Sequence, residues 1–173
     1  SLRSDFSRSM EKSFQSLLTL ELLHATDGWF FLNKVLLQYG QNSSSENSSI
    51  EKTSDEISSI EKSATTIEVL DAYLTPAGRF LILLAGDQEP LAKVTRSEIF
   101  TELKNSMYDW YFVESVDPAL LQGIFSLIKP ATPKGLLVLE SQSACRMVAL
   151  CNAALELANV SLIDVRLCRG TGG

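Results

Sequence analysis

The sequence predicts an α/β protein built from one strand–helix unit used twice, a complete β-α-β-β-α-β copy followed by a β-α-β half copy. Apolar runs of strand length alternate with stripes of helical spacing. Matching residues recur at a fixed offset along the chain, and that offset changes by the length of one serine-rich segment. Internal repetition of this kind decides the fold class before any single element does.

The elements follow in order. Leu17 to Leu23 (LLTLELL) is a short apolar run and reads as a buried strand. Thr26 or Asp27 is placed to cap a helix carrying Trp29, Leu32, Leu36 and Tyr39, and Gly40 stops it. Ile67–Leu74 alternates and reads as a strand, Thr75–Gly78 as a turn built on Pro76 and Gly78, and Phe80–Ala85 as an apolar return strand. Gly86-Asp87 opens a helix expected to run to about Lys104, with Asp87 as cap. An aromatic strand follows over Tyr108–Val113, then a short helix over Ala119–Ile128 started by Asp117-Pro118. Pro130 and Pro133 mark a linker. The pattern then restarts, with a strand over Gly135–Glu140, a helical stripe from Ala144 to Ala158 and a strand over Val160–Leu167.

The repeat is quantitative. Glu21 matches Glu140 at 140 − 21 = 119, and Asn33 and Leu36 match Asn152 and Leu155 at the same offset. Asp71 matches Asp164 and Leu74 matches Leu167 at 164 − 71 = 93. The difference, 119 − 93 = 26, is the length of Gln41–Thr66. That segment holds nine serines and a net charge of −3, and it repeats SSIEK at Ser48–Lys52 and Ser58–Lys62. It has too little apolar area to offset its ordering entropy and reads as a flexible insertion, with Ile50, Ile57 and Ile60 available for a short docking helix. The domain plan is therefore an N-terminal extension over 1–16, a first domain over 17–128 with the insertion at 41–66, a linker over 129–134, and the first half of a second domain over 135–173. A half domain leaves strand edges bare, so the second copy reads as truncated and the native chain as longer.

Composition narrows the function classes. The 173 residues carry a net charge of −6, and the 15 basic residues are scattered, which excludes a phosphate-binding surface for nucleic acid. No apolar run approaches the roughly 20 residues of a membrane helix. Three cysteines, Cys145, Cys151 and Cys168, show no framework spacing, which suits a reducing cytoplasmic setting.

The segment GLLVLESQSACRMVALCNAALELANVSLIDVRLCRGTGG, from Gly135 to Gly173, resembles the opening half of a bacterial microcompartment shell domain. The shared pattern is Gly-Leu-hydrophobic-Glu at Gly135–Glu140, a small-residue helix, the Ala158-Asn159-Val160 hinge and a Gly-rich loop at Arg169–Gly173. The first copy is similar through LLTLELL and IEVLDAYLTPAGRFLILLAGD. The resemblance implies a ferredoxin-like β-α-β-β-α-β shell domain in tandem. It also implies a homotrimer whose six domains form a pseudo-hexameric tile, set among other shell proteins of a microcompartment, with no catalysis and no cofactor. It places Thr75, Pro76, Ala77, Gly78 and Arg79 of the first copy, and Cys168, Arg169, Gly170, Thr171, Gly172 and Gly173 of the second, around a central pore for metabolites. Gly-rich turns and Arg169 would favour small anionic metabolites there. Some tandem members hold an iron–sulphur cluster through a pore-loop Cys, whose place here is Thr75. A tile-edge Lys of the family falls on Leu37 and Glu156.

Other chemistry is thin. His24 is the single histidine and has no nucleophile beside it. Glu21 and Glu140 have the residue types of a general acid/base pair, but their equivalent places in the repeat point to shared structure. Cys145 and Cys151 are six apart on a helix, facing different ways, and read as core; Gly170–Gly173 lacks the Lys-Ser/Thr of a phosphate loop. A trimeric ferredoxin-like ligand-binding regulatory module is the competing reading, and its mark would be a closed pocket with convergent polar groups.

Overall fold

A computed structural model describes residues 14–39, 67–128 and 135–167. The serine-rich insertion, the linker and the extension up to residue 13 lie outside these described residues. Four strands form one sheet: β1 (Ser16–Leu22), β2 (Ile67–Leu74), β3 (Phe80–Gly86) and β4 (Met107–Val113), in the order β2-β3-β1-β4. Every neighbouring pair is antiparallel. With α1 (Ala25–Tyr39) joining β1 to β2, and α2 (Gln88–Thr95) and α3 (Glu98–Glu102) joining β3 to β4, this is the ferredoxin-like order expected from the sequence.

β1 is buried along its whole length because both faces of the sheet are covered. Alternation sends Leu18, Leu20 and Leu22 to one face, where they meet Phe31, Leu32 and Val35 of α1 and Leu91 and Val94 of α2. Leu17 points to the other, against α4 (Pro118–Ile124) and α5 (Ala144–Leu157) through Leu120, Leu121, Ala144 and Val148. On the first face α1 comes so close that a Cβ at Gly28 would run into the Phe80 ring. Trp29 packs its ring 5.1 Å from that of Phe80.

Several boundaries differ from the sequence reading. The stretch expected as one helix to Lys104 breaks at Arg96-Ser97. Ser97 Oγ donates to the Val94 carbonyl and accepts from the Phe100 N–H, closing α2 and capping α3, with a 3₁₀ turn over Leu103–Asn105. Asp87 sits at the start of α2 without a side-chain cap bond. Thr26 and Asp27 fall inside α1, and Asp27 instead accepts from the Ser106 hydroxyl. Asp117 does cap α4, through the Ala119 N–H at 2.8 Å, but the helix ends at Ile124, where Ser126 turns left-handed at φ 55°. The largest correction concerns Gly135–Glu140 and Val160–Leu167, which belong to no strand. A strand exists through its ladder, and neither segment pairs with a neighbour among the described residues. Val165 and Leu167 are nonetheless buried beside α4 and α5.

Candidate functional site

At one end of the sheet the chain concentrates charge inside the core. Glu21 is the penultimate residue of β1, and Asp109 lies directly opposite it on β4. Two like charges so placed repel unless compensated. Three groups compensate them. Arg79, at the start of the β3 return, brings Nε to 3.7 Å from Glu21 Oε1, with the Glu21 side chain fully buried and that of Arg79 15% exposed. Arg146 in the first turn of α5 brings Nε to 3.1 Å from Asp109 Oδ2. The N-terminus of α5 itself faces both acids, a favourable orientation for anions: the Cys145 N–H donates to Glu21 Oε2 at 3.5 Å, and the Ser143 hydroxyl donates to Asp109 Oδ2 at 2.7 Å. Ser143 Oγ also caps α5 by accepting from the Arg146 N–H at 3.1 Å.

Arg79 is held on three sides. Beyond Glu21, its Nη2 donates to the Gln142 carbonyl at 2.7 Å, and its guanidinium lies 4.0 Å from the Tyr108 ring centroid. Glu21 Oε1 and Arg79 Nη1 are buried without a hydrogen-bond partner among the described residues. The node therefore ties three separate parts of the chain, the β2–β3 hairpin, the sheet and α5.

The hairpin tip is the other notable feature. The Arg79 carbonyl accepts from the Thr75 N–H at 2.7 Å, and the Thr75 carbonyl accepts from the Gly78 N–H at 2.9 Å. Gly78 takes φ 76°, a region open to glycine. Pro76, Ala77 and Gly78 are exposed, whereas Thr75 is buried and its hydroxyl accepts from the Arg79 N–H. Of the residues read as pore-lining, this tip is thus assembled in one place, with Arg79 turned into the core. Cys168, Arg169, Gly170, Thr171, Gly172 and Gly173 lie outside the described residues.

The remaining candidates fall into place. His24 is exposed just before α1, and its carbonyl accepts from the Gly28 N–H. Glu21 and Glu140 occupy opposite environments, buried and exposed. Cys145 and Cys151 are free and buried. Burial pushes the Cys145 thiol far up, and the Glu21 and Asp109 charges push it further; burial also raises Cys151. Neither is a nucleophile at neutral pH. A hollow between the end of α1 and the α2–α3 turn, bordered by Tyr39, Lys93 and Arg96, is shallow rather than enclosed. Among the described residues no helix is long and apolar enough to cross a membrane.

The sequence reading missed Asp109, Tyr108 and the inward role of Arg79. The signal for Asp109 was present, since an acid in the middle of the aromatic run YDWYFV is as anomalous as Glu21 within LLTLELL.

No protein-family model matches the sequence, and no curated protein does. Among solved structures the chain is similar to a microcompartment protein from Desulfitobacterium hafniense, at a TM-score of 0.58 and 17% identity, over 93% of this chain and 74% of that one. At that identity the likeness shows a shared fold.

Proposed function

We propose that this chain is a structural subunit of a bacterial microcompartment shell and forms a homotrimeric, pseudo-hexameric tile with a central pore. The observation that carries the reading is the structural likeness to a microcompartment protein over 93% of the chain. The β2-β3-β1-β4 order and the second helix arriving on the first sheet support it. In this reading the protein is not an enzyme. It works in the cytoplasm among other shell subunits.

The pore follows from the hairpin. Pro76, Ala77 and Gly78 form the tip that approaches the axis, and Arg79 anchors that tip from behind instead of lining the passage. The first-domain loop then presents small groups and backbone. Preference for small anionic metabolites rests on Arg169 and the glycine-rich stretch Gly170–Gly173 that follows it in the sequence. Light scattering on the full-length protein tests the assembly: a trimer is expected, and a stable monomer at micromolar concentration overturns the reading. Anion passage through assembled shells should fall on Arg169→Ala, and unchanged passage would remove that residue from the pore.

A further inference from the structure

The direction of every backbone donor can be counted across the sheet from one bond at the hairpin. The Thr75 N–H donates to the Arg79 carbonyl, so these two residues form a hydrogen-bonded pair of the β2–β3 ladder. Tyr73 and Leu81 are the next such pair, which leaves Ala72 opposite Ile82 as a non-bonded pair. The Ala72 N–H therefore points away from β3, off the outer edge of β2. Ile82 in turn directs its backbone groups to Leu20 of β1, and Leu20 directs its own away from Trp110 of β4. The Trp110 N–H therefore points off the outer edge of β4. Ala72, Ile82, Leu20 and Trp110 form one row across the four strands, with an outward donor at each end.

Both donors are taken by the residue just before them. Asp71 Oδ1 accepts from the Ala72 N–H at 3.0 Å, and Asp109 Oδ1 accepts from the Trp110 N–H at 2.9 Å. In both strands the aspartate also follows a bulged residue. The β2–β3 register passes from Val69 to Asp71 without a partner for Leu70, and the β1–β4 register passes from Met107 to Asp109 without one for Tyr108. Bulge, aspartate and capped N–H thus occur twice, in the same order, on the two strands that have an outer edge. The inner strands β1 and β3 contain no aspartate. Free N–H groups along an edge are a template for another strand. A strand joining at Ala72 or Trp110 would have to break a charge-assisted bond and take a carboxylate out of water, where the bulge already bends the edge.

We infer that the sheet is closed at four strands: the Leu70-Asp71-Ala72 and Tyr108-Asp109-Trp110 devices bar strand addition at both edges, whether by a further segment of this chain or by a second copy. The inference stands apart from the tile reading. Within that reading it leaves side-chain faces, and not sheet extension, to join one chain to the next.

Asp109 also accepts from Ser143 and pairs with Arg146, so Asp71 gives the cleaner test. In the full-length protein Asp71→Val removes the acceptor, whereas Asp71→Asn removes the charge and keeps an acceptor oxygen at the same place. With the cooperative melt retained, the Val form should yield about fivefold more pelletable, thioflavin-binding material on incubation at micromolar concentration. The Asn form should match the unaltered protein. Amide hydrogen exchange at Ala72 should be slow in the unaltered and Asn forms and fast in the folded Val form. If Val at this position costs the fold, Asp71→Ala reads the same outcomes. A folded Val or Ala form that stays as soluble as the unaltered protein overturns the inference. So does an Asn form that aggregates equally, since charge alone would then guard the edge, and so does slow exchange at Ala72 without the carboxylate, since another strand would then cover it.

Discussion

Leu17–Glu21 and Leu136–Glu140 read LLTLE and LLVLE, differing only at Thr19 against Val138. The first is the buried centre of the sheet. The second pairs with no strand among the described residues, and its Leu136, Leu137 and Val138 are at least 70% exposed. Five nearly identical residues thus take opposite environments within one chain. The difference lies in what each finds beside it. Leu17–Glu21 has β3 on one edge and β4 on the other, with helices over both faces. Leu136–Glu140 has none of these among the described residues. Strand propensity and apolar content are permissive, and the partner is decisive.

The comparison can be broken most forcefully by truncation. Leu18→Ala should cost about 3 kcal/mol in a urea melt, as a fully buried leucine with helices packed on it does. Its counterpart Leu137→Ala should change the melt of the unassembled chain by less than about 0.5 kcal/mol. Equal costs at the two positions would mean that the second segment is packed too.

Removing charge sharpens it next. Glu21→Ala strands the Arg79 guanidinium in the core and should cost several kcal/mol (on the order of 3). Glu140→Ala, at an exposed carboxylate, should cost close to nothing before assembly. The double change Glu21→Leu with Arg79→Leu should recover most of the loss, because it removes both buried charges and not one of them. No recovery in the double variant would show that the Gln142 and Tyr108 contacts of Arg79 matter more than the ion pair.

A smaller effect separates the one position that differs. The Thr19 hydroxyl is buried with no hydrogen-bond partner among the described residues. Thr19→Val copies residue 138 and should raise stability by about 1 kcal/mol, since an unsatisfied buried hydroxyl is costly. A destabilised variant would indicate a water or partner at Thr19.

The smallest expected effect is a pH slope. The folded Cys145 thiol titrates above its unfolded value, chiefly through burial. The native state therefore keeps a proton that the unfolded chain releases. This contribution is fully present below the unfolded thiol value of about 8.5 and declines as pH rises past it. Cys145→Ala should flatten the slope above that point. Labelling with a thiol reagent should reach Cys145 and Cys151 only on unfolding. Rapid labelling of Cys145 in the native protein would show that α5 leaves the sheet.

The sequence by itself determined the four-stranded sheet and the helices between its strands. The bounds of β2 coincide with Ile67–Leu74, those of β1, β3 and β4 shift by a single residue at one or both ends, and α1 and α5 fall where the stripes lie. These elements announce themselves because alternation, helical spacing and turn residues are local quantities. Three things were decided only in the tertiary structure. Arg79 looked like a loop residue beside Gly78, and its place in the core depends on Glu21, fifty-eight residues earlier (79 − 21 = 58), and on Gln142. The break at Ser97 depends on Phe100 reaching the core beneath α1, where its ring packs against Phe31 and Trp110. Leu136–Glu140 carries every local mark of a strand and is not one here, because a ladder is a property of two segments and only one of them is present among the described residues.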